Sequence, residues 1–330
     1  MRVLVPQGIG DSVWSLLKVE SLMRQLGGRR PLTVLLNCHD PNDPVECRGL
    51  EFVKRFAFVD SAGMCQIGIN APGPRTDEDG RYRYVRSGPI PERGIDYFLG
   101  SNEPMERGVR LEDWLPEYPV RWDALDDFRF THGEIREAER LKARWGGYAV
   151  FFMGSESGNT AAGHNRGGLW RPEQWAELGE RILDLKQVDF NGGREEIGRI
   201  VVVGAEYDRS YWERHVQPLI SAGSGWENGW ESAIGRWGIG QTFAVCRGAR
   251  FVVSYQSGIG IASHYLGVPT AIFWRQEGDS ISPYDHVSFD ERMASAWARP
   301  DYAAAGKHLP LFYGRHDVEY IMGEIKRRGW

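Results

Sequence analysis

Short apolar runs and stretches of helical period alternate along the chain. Residues 2–5 (RVLV) are an apolar run of strand length and predict a buried strand. Over 12–26, Val13, Leu16, Leu17, Val19, Leu22, Met23 and Leu26 fall near helical spacing, and Gly27-Gly28 stops that helix. Residues 32–36 and 57–59 predict two more strands. From Gly63 to Pro119 the pattern defines no clear element. Glycine, proline and arginine dominate there, around the run Arg81-Tyr82-Arg83-Tyr84-Val85-Arg86. Order returns with a helix over 134–145, ended by Gly146-Gly147. A second series follows, with strands predicted at 148–153, 200–203, 251–254 and 270–274. Helices are predicted at 172–187, 209–221, 240–247, 258–266 and 317–328. Such alternation predicts an α/β protein of parallel sheets covered by helices. The glycine pair suggests two such units facing each other, with ligand between them.

A chain of 330 residues has room for two domains. Its 42% hydrophobic content can bury a large core, which excludes wholesale disorder. No apolar run reaches the ~18 residues of a membrane span, and the opening MRVLVPQGIGD reads as neither signal peptide nor anchor. Four cysteines without a CxxC pair argue against a disulfide framework or a cysteine zinc site, so a reducing, cytoplasmic setting is expected. The histidines show no HExxH or other ligand spacing, and no metal is expected. The net charge of −5 is spread evenly and lacks the basic field of a nucleic-acid binder, so no stable nucleic-acid binding is expected. Of the 40 basic residues only six are lysine. Arginine suits bidentate phosphate contacts, although a GC-rich genome explains the excess equally well.

Several pieces of the second half stand in a telling order. They are Trp170-Arg171-Pro172-Glu173-Gln174-Trp175 opening a helix, Val201-Val202-Val203-Gly204 followed by Ala205-Glu206, and the string Ala249 to Gly258 (ARFVVSYQSG) continuing to Gly267-Val268-Pro269-Thr270. Together with the opening MRVLVPQGIGD, they resemble the heptosyltransferases of lipopolysaccharide assembly, glycosyltransferase family 9. The resemblance leaves out 63–130. It implies the GT-B fold: two Rossmann-like parallel-sheet domains facing across a cleft. By that resemblance residues 1–146 bind the acceptor and 147–315 bind the nucleotide sugar. A terminal helix in 316–330 is expected to return to the first domain. Three departures stand on the donor side. Gln256 occupies the place of the family's Asp, Ile261 that of its His, and Gly168 that of its Lys. His264 lies one helical turn beyond Ile261, out of register.

Gln7-Gly8-Ile9-Gly10-Asp11 joins a strand to a helix. Gly8 and Gly10 let the backbone approach a ligand closely. Asp11 matches the family's proposed base, the group that takes the proton of an attacking hydroxyl. The other reading of Asp11 is a plain N-cap. Ser257-Gly258-Ile259-Gly260, after Gln256, opens another helix whose free N–H groups suit the diphosphate leaving group; a tight turn needing glycine for shape is the other reading. In the polar loop 154–168, Ser155 and Arg166 are candidate donor contacts, with Arg171 the second candidate cation. Trp226, Trp230 and Trp237 either stack on a base or sugar or anchor a loop to the core. The strand carrying Arg81 and Arg83 either grips an anionic acceptor or is an edge guarded by charge.

The expected activity is metal-independent glycosyl transfer with inversion, from a nucleotide-diphosphate sugar to a hydroxyl of a glycan or other acceptor. That nucleotide sugar is a co-substrate; no cofactor is expected. Two alternatives stay open: a transferase acting on an unusual acceptor, such as modified DNA or a phage or capsular polymer, and a non-catalytic nucleotide-sugar-binding relative.

Overall fold

The computed structural model describes residues 1–27, 31–38, 44–65, 87–91, 94–101, 103–104, 108–154, 170–185, 197–221, 229–274, 291–312 and 315–330. They form two compact units, Met1–Arg129 and Phe130–Trp330.

In the first unit the described strands are β1 (Arg2–Pro6), β2 (Thr33–Asn37), β3 (Ser61–Cys65), β4 (Gly88–Ile90) and β5 (Ile95–Phe98). They lie in the order β3-β2-β1-β5-β4. All neighbours are parallel except β4, which runs antiparallel to β5. The chain moves outward from β1 to β3, then returns to the other side of β1 at β5. The helix Ile9–Gln25 follows β1 and buries Val13, Leu16, Leu17 and Leu22, as its spacing predicts. The helix Pro44–Val53 was not visible in the pattern. The third strand is Ser61–Cys65 rather than 57–59. Residues 57–59 form a turn, beside the aromatic cluster of Phe52, Phe56, Phe58 and Phe128, whose ring centroids lie 5.2–5.4 Å apart.

In the second unit β6 (Gly147–Phe152), β7 (Ile197–Val202), β8 (Trp230–Ser232), β9 (Phe251–Tyr255), β10 (Thr270–Trp274) and β11 (His308–Phe312) lie in the order β11-β10-β9-β6-β7-β8. Every pairing is parallel. The chain moves outward from β6 to β8, then back across to β9 and outward to β11. This is the doubly wound order of a dinucleotide-binding sheet. Apolar side chains of the central strands, Phe151, Val202, Val253 and Phe273, share one core with Trp175, Leu178 and Ile182 of the helix Pro172–Asp184. The helix expected at 209–221 passes through a π turn at Trp212–Val216, where Trp212 packs on Trp230 with centroids 5.7 Å apart.

Two boundaries read from the sequence change. The helix His132–Trp145, placed in the first domain at 1–146, groups with the second unit. It packs on the helix Ile239–Gly248, where Gln241 Nε2 donates to the Glu134 carbonyl and Arg247 lies 5.5 Å from the Phe130 ring. The terminal helix Val318–Arg328, expected on the first domain, buries Val318, Ile321, Met322 and Ile325 in the second unit's core. An ion pair between Arg181 and Glu319 ties it to Pro172–Asp184. Among the described residues no helix is long and apolar enough to cross a membrane.

Candidate functional site

In an open parallel sheet, ligand binds where strand order reverses, because the loops leaving the carboxyl ends diverge there. That point lies between β1 and β5 in the first unit and between β6 and β9 in the second. The two glycine motifs of the sequence leave β1 and β9. Each therefore sits at the switch point of its own sheet.

In the first unit Gly8 is the N-cap, with extended backbone, and the helix begins at Ile9. Asp11 is thus the third helical residue rather than the cap. A carboxylate in the first turn is still favoured by the helix dipole. A Cβ on Gly8 would stand 2.7 Å from Asp11 Oδ2, so glycine makes room for that carboxylate. Gly10 is buried in the first turn. Two hydroxyls fix the helix over the strand ends: Ser12 Oγ donates to the Pro6 carbonyl (2.7 Å), and Ser15 Oγ to the Leu99 carbonyl beyond β5 (2.9 Å). Asp11 is partly exposed.

In the second unit Ser257 caps the helix Gly258–Tyr265, its Oγ accepting from Gly260 N (3.4 Å). Ser254 Oγ donates to the Tyr255 carbonyl (2.7 Å) and lies 3.0 Å from Ser257 Oγ. With its own proton so placed, Ser254 accepts from Ser257. The Ser257 hydroxyl is therefore occupied within the turn, and Gly258 N and Ile259 N are the first two N–H groups of the helix. Gln256 N donates to the Phe273 carbonyl (2.9 Å), which fixes the loop to β10.

Arg171 is exposed and precedes Pro172, the first residue of its helix. The tryptophans that flank it in the sequence motif are core residues. Trp170 packs on Phe273 (4.5 Å) and Trp175 (5.0 Å), and Trp175 Nε1 donates to the Tyr255 hydroxyl (3.3 Å). They hold the start of this helix, and Arg171 with it, to β9 and β10. Behind the same edge, Asp208 is buried and its Oδ2 accepts from Ala205 N (2.8 Å). Gly154 and Gly204 give it space: a Cβ at Gly204 would stand 2.8 Å from Oδ2, and one at Gly154 would collide with Oδ1. The sequence reading missed both Ser254 and Asp208; a polar residue ending an apolar strand was the available sign of Ser254.

Other expectations resolve differently. Of the two readings of Trp230, the core anchor holds and the stacking platform does not: its side chain is 7% exposed and seated against Gly179, where any Cβ would meet its ring. Trp237 is partly exposed beside the Arg236 guanidinium (5.7 Å). Ile261 and His264 are both buried. His264 Nε2 accepts the Arg299 N–H (2.9 Å), and burial holds its pKa well below the usual histidine value, with help from His308 and Arg299. It is thus a neutral interior side chain rather than a phosphate contact. Ser155, Arg166, Gly168, Trp226 and the run Arg81–Arg86 lie outside the described residues. Among the described residues no three His, Cys, Asp or Glu side chains gather as metal ligands would.

No family model matches the chain, and no curated protein matches it in sequence. Solved structures do match over its whole length. ADP-heptose lipopolysaccharide heptosyltransferase II of E. coli aligns at TM-score 0.57 and 14% identity, over 99% of this chain and 97% of that one. A glycosyltransferase family 9 protein of Veillonella parvula aligns at 0.56 and 12%, over 99% and 96%. The E. coli heptosyltransferase WaaC, solved with ADP, aligns at 0.51 and 14%, over 100% and 98%. The fold is the GT-B fold of these heptosyltransferases, as the sequence motifs implied.

Proposed function

We propose that the chain is a glycosyltransferase that moves a sugar from a nucleotide-diphosphate donor to a hydroxyl acceptor. The observation that carries this reading is the placement of both motif loops, Gly8–Asp11 and Gln256–Gly260, at the switch points of two sheets in a GT-B fold. Asp11 takes the proton of the acceptor hydroxyl, whose oxygen forms the new bond to the anomeric carbon. The bond from that carbon to the diphosphate breaks, its electron pair leaving on phosphate oxygen. Attack opposite the leaving group inverts the anomeric centre. The first N–H groups of the helix Gly258–Tyr265 meet the developing charge, with Arg171 or Arg166 as the accompanying cation. No metal has a part in this scheme. The ADP in the structure of WaaC, which is similar in fold, supports a nucleoside diphosphate as the first ligand to try. The reaction belongs in the cytoplasm, where nucleotide sugars are made.

Asp11→Asn tests the base. Asparagine keeps the shape but cannot accept the proton, so the transfer rate should fall by about 10²–10⁴-fold. Nucleotide affinity should be preserved, and stability should drop by no more than about 1 kcal/mol, the dipole contribution of a first-turn carboxylate. Full activity in this variant would remove Asp11 from the mechanism. A second reading, a non-catalytic nucleotide-sugar-binding relative, draws on Gln256 and on the buried apolar Ile261 at places where the family carries polar groups. Turnover of any nucleotide sugar eliminates it.

A further inference from the structure

Two serines share one network at the donor-side turn. Ser254 is the last residue but one of β9 and is fully buried, whereas Ser257 caps the helix Gly258–Tyr265 and is partly exposed. The geometry places both hydroxyl protons. The Tyr255 carbonyl only accepts, and it lies 2.7 Å from Ser254 Oγ, so the single Ser254 proton points there. The proton between the two hydroxyls, 3.0 Å apart, must then come from Ser257. Gly260 N donates to a lone pair of the same Ser257 oxygen.

A serine cap works through its oxygen, which accepts from the helix, and this ordinarily leaves its proton for a ligand. Here Ser254 turns that proton inward. The missing Cβ of Gly260 leaves the space that the Ser254 hydroxyl fills. The turn is tied in turn to its neighbour strand, since Gln256 N donates to the Phe273 carbonyl of β10 (2.9 Å).

We propose that Ser254 is a positioning residue of the donor site: it withholds the Ser257 proton from the diphosphate and leaves recognition at this turn to the main-chain N–H groups of Gly258 and Ile259. This inference rests on the glycosyltransferase reading and deepens it. The nucleoside diphosphate is part of the donor and afterwards the product. A hydroxyl that gripped it equally in both would tighten binding without speeding transfer. Holding the proton back lets the product leave.

Calorimetric titration of the full chain with ADP and with UDP tests this in a cycle of Ser254→Ala, Ser257→Gly and the double variant. Glycine caps a helix nearly as well as serine, so Ser257→Gly removes the hydroxyl and spares the helix. Ser257→Gly should lose no more than about threefold in nucleotide affinity, less than a hydrogen bond to a charged group is worth. Ser254→Ala releases the Ser257 proton to the ligand and should bind about tenfold more tightly. The double variant should fall back to the affinity of Ser257→Gly. A merely structural role for Ser254 gives a loss or no change, without dependence on Ser257. A loss of about tenfold or more in Ser257→Gly would put the hydroxyl on the ligand already and overturn the proposal. So would a Ser254→Ala variant that binds no more tightly than the wild type, or a gain that survives in the double variant. Urea denaturation shows which variants are folded; should Ser254→Ala not fold, Ser257→Gly decides alone. Nucleotide binding without this pattern defeats the inference alone. Binding by neither the wild type nor Ser254→Ala defeats the donor assignment, and the inference with it.

Discussion

Single residues set the tolerances at the donor-side turn. A Cβ on Gly260 would stand 2.8 Å from Ser254 Oγ, 2.9 Å from Ser254 Cβ and 3.1 Å from the Tyr255 carbonyl. All three atoms belong to the strand end beneath the helix, and none is the tip of a flexible chain. Gly260→Ala should therefore cost about 1–3 kcal/mol by overpacking and spread the Ser254–Ser257 hydroxyl pair. Urea denaturation measures the first effect and nucleotide titration the second; a variant as stable as the wild type would mean that the helix shifts freely. At this scale the sequence was informative about glycines and less so about rings. Trp230 sits among glycines in the chain, a setting that left both a stacking and a core-anchoring role open. Its actual neighbour, Gly179, is a residue far away in sequence that supplies the missing volume.

Among the elements, the helix Ile9–Gln25 decides where Asp11 stands, and it is fastened along its length. Lys18 is fully buried, and its Nζ donates to the carbonyls of Trp114, Leu115 (3.1 Å) and Tyr118 (3.0 Å). Burial pushes its pKa down to about 8, against the opposing pull of Glu117, Glu112 and Asp113. Ser21 Oγ donates to the Pro119 carbonyl (2.6 Å), and Gln25 Nε2 bonds the Glu117 carbonyl. The strap so held contains Leu115 at φ +49°, the one non-glycine with positive φ among the described residues. Lys18→Met keeps the volume but strands three carbonyls, and it should destabilise the first unit by about 3 kcal/mol in urea denaturation. A loss below about 1 kcal/mol would show that water replaces the ammonium. Elements with strong periodicity, such as this helix and β6, β9 and β10, were legible. The helix Pro44–Val53 was hidden by Gly49, which is there because a Cβ would strike the Gln7 carbonyl of the candidate loop. β3 was hidden because Ser61–Cys65 lacks β-branched residues, and β11 because it carries Pro310, at home on an edge strand.

For the molecule as a whole, the response to acid has an identifiable source. His264 and His308 are buried together with ring centroids 5.0 Å apart. Burial, reinforced by Arg328, pushes His308 down to about 3, and His264 lies well below its ordinary value. Unfolded histidines titrate near 6.5. Between about pH 6.5 and 3 the unfolded chain therefore binds protons that the folded chain refuses, so stability falls as pH falls. Each histidine contributes up to about 1.4 kcal/mol per pH unit in that window. His308→Asn should remove one such contribution and flatten the stability profile between about pH 6 and pH 4. Nucleotide affinity should not change, since His308 begins β11 at the end of the sheet opposite the candidate site. An unaltered slope would mean that the ring is protonated in the folded protein.

The residues assigned to chemistry stand on the segments that leave the strands, whereas the strands themselves are almost wholly buried. Foldability and specificity are therefore inherited through different parts of the chain. On the proposed reading, a substitution at Gln256 or Asp11 should change what is bound and leave the hydrophobic frame intact, and a substitution inside β9 should do the reverse. The full-length match in fold to solved glycosyltransferases at 12–14% identity shows how little of the sequence such a frame requires.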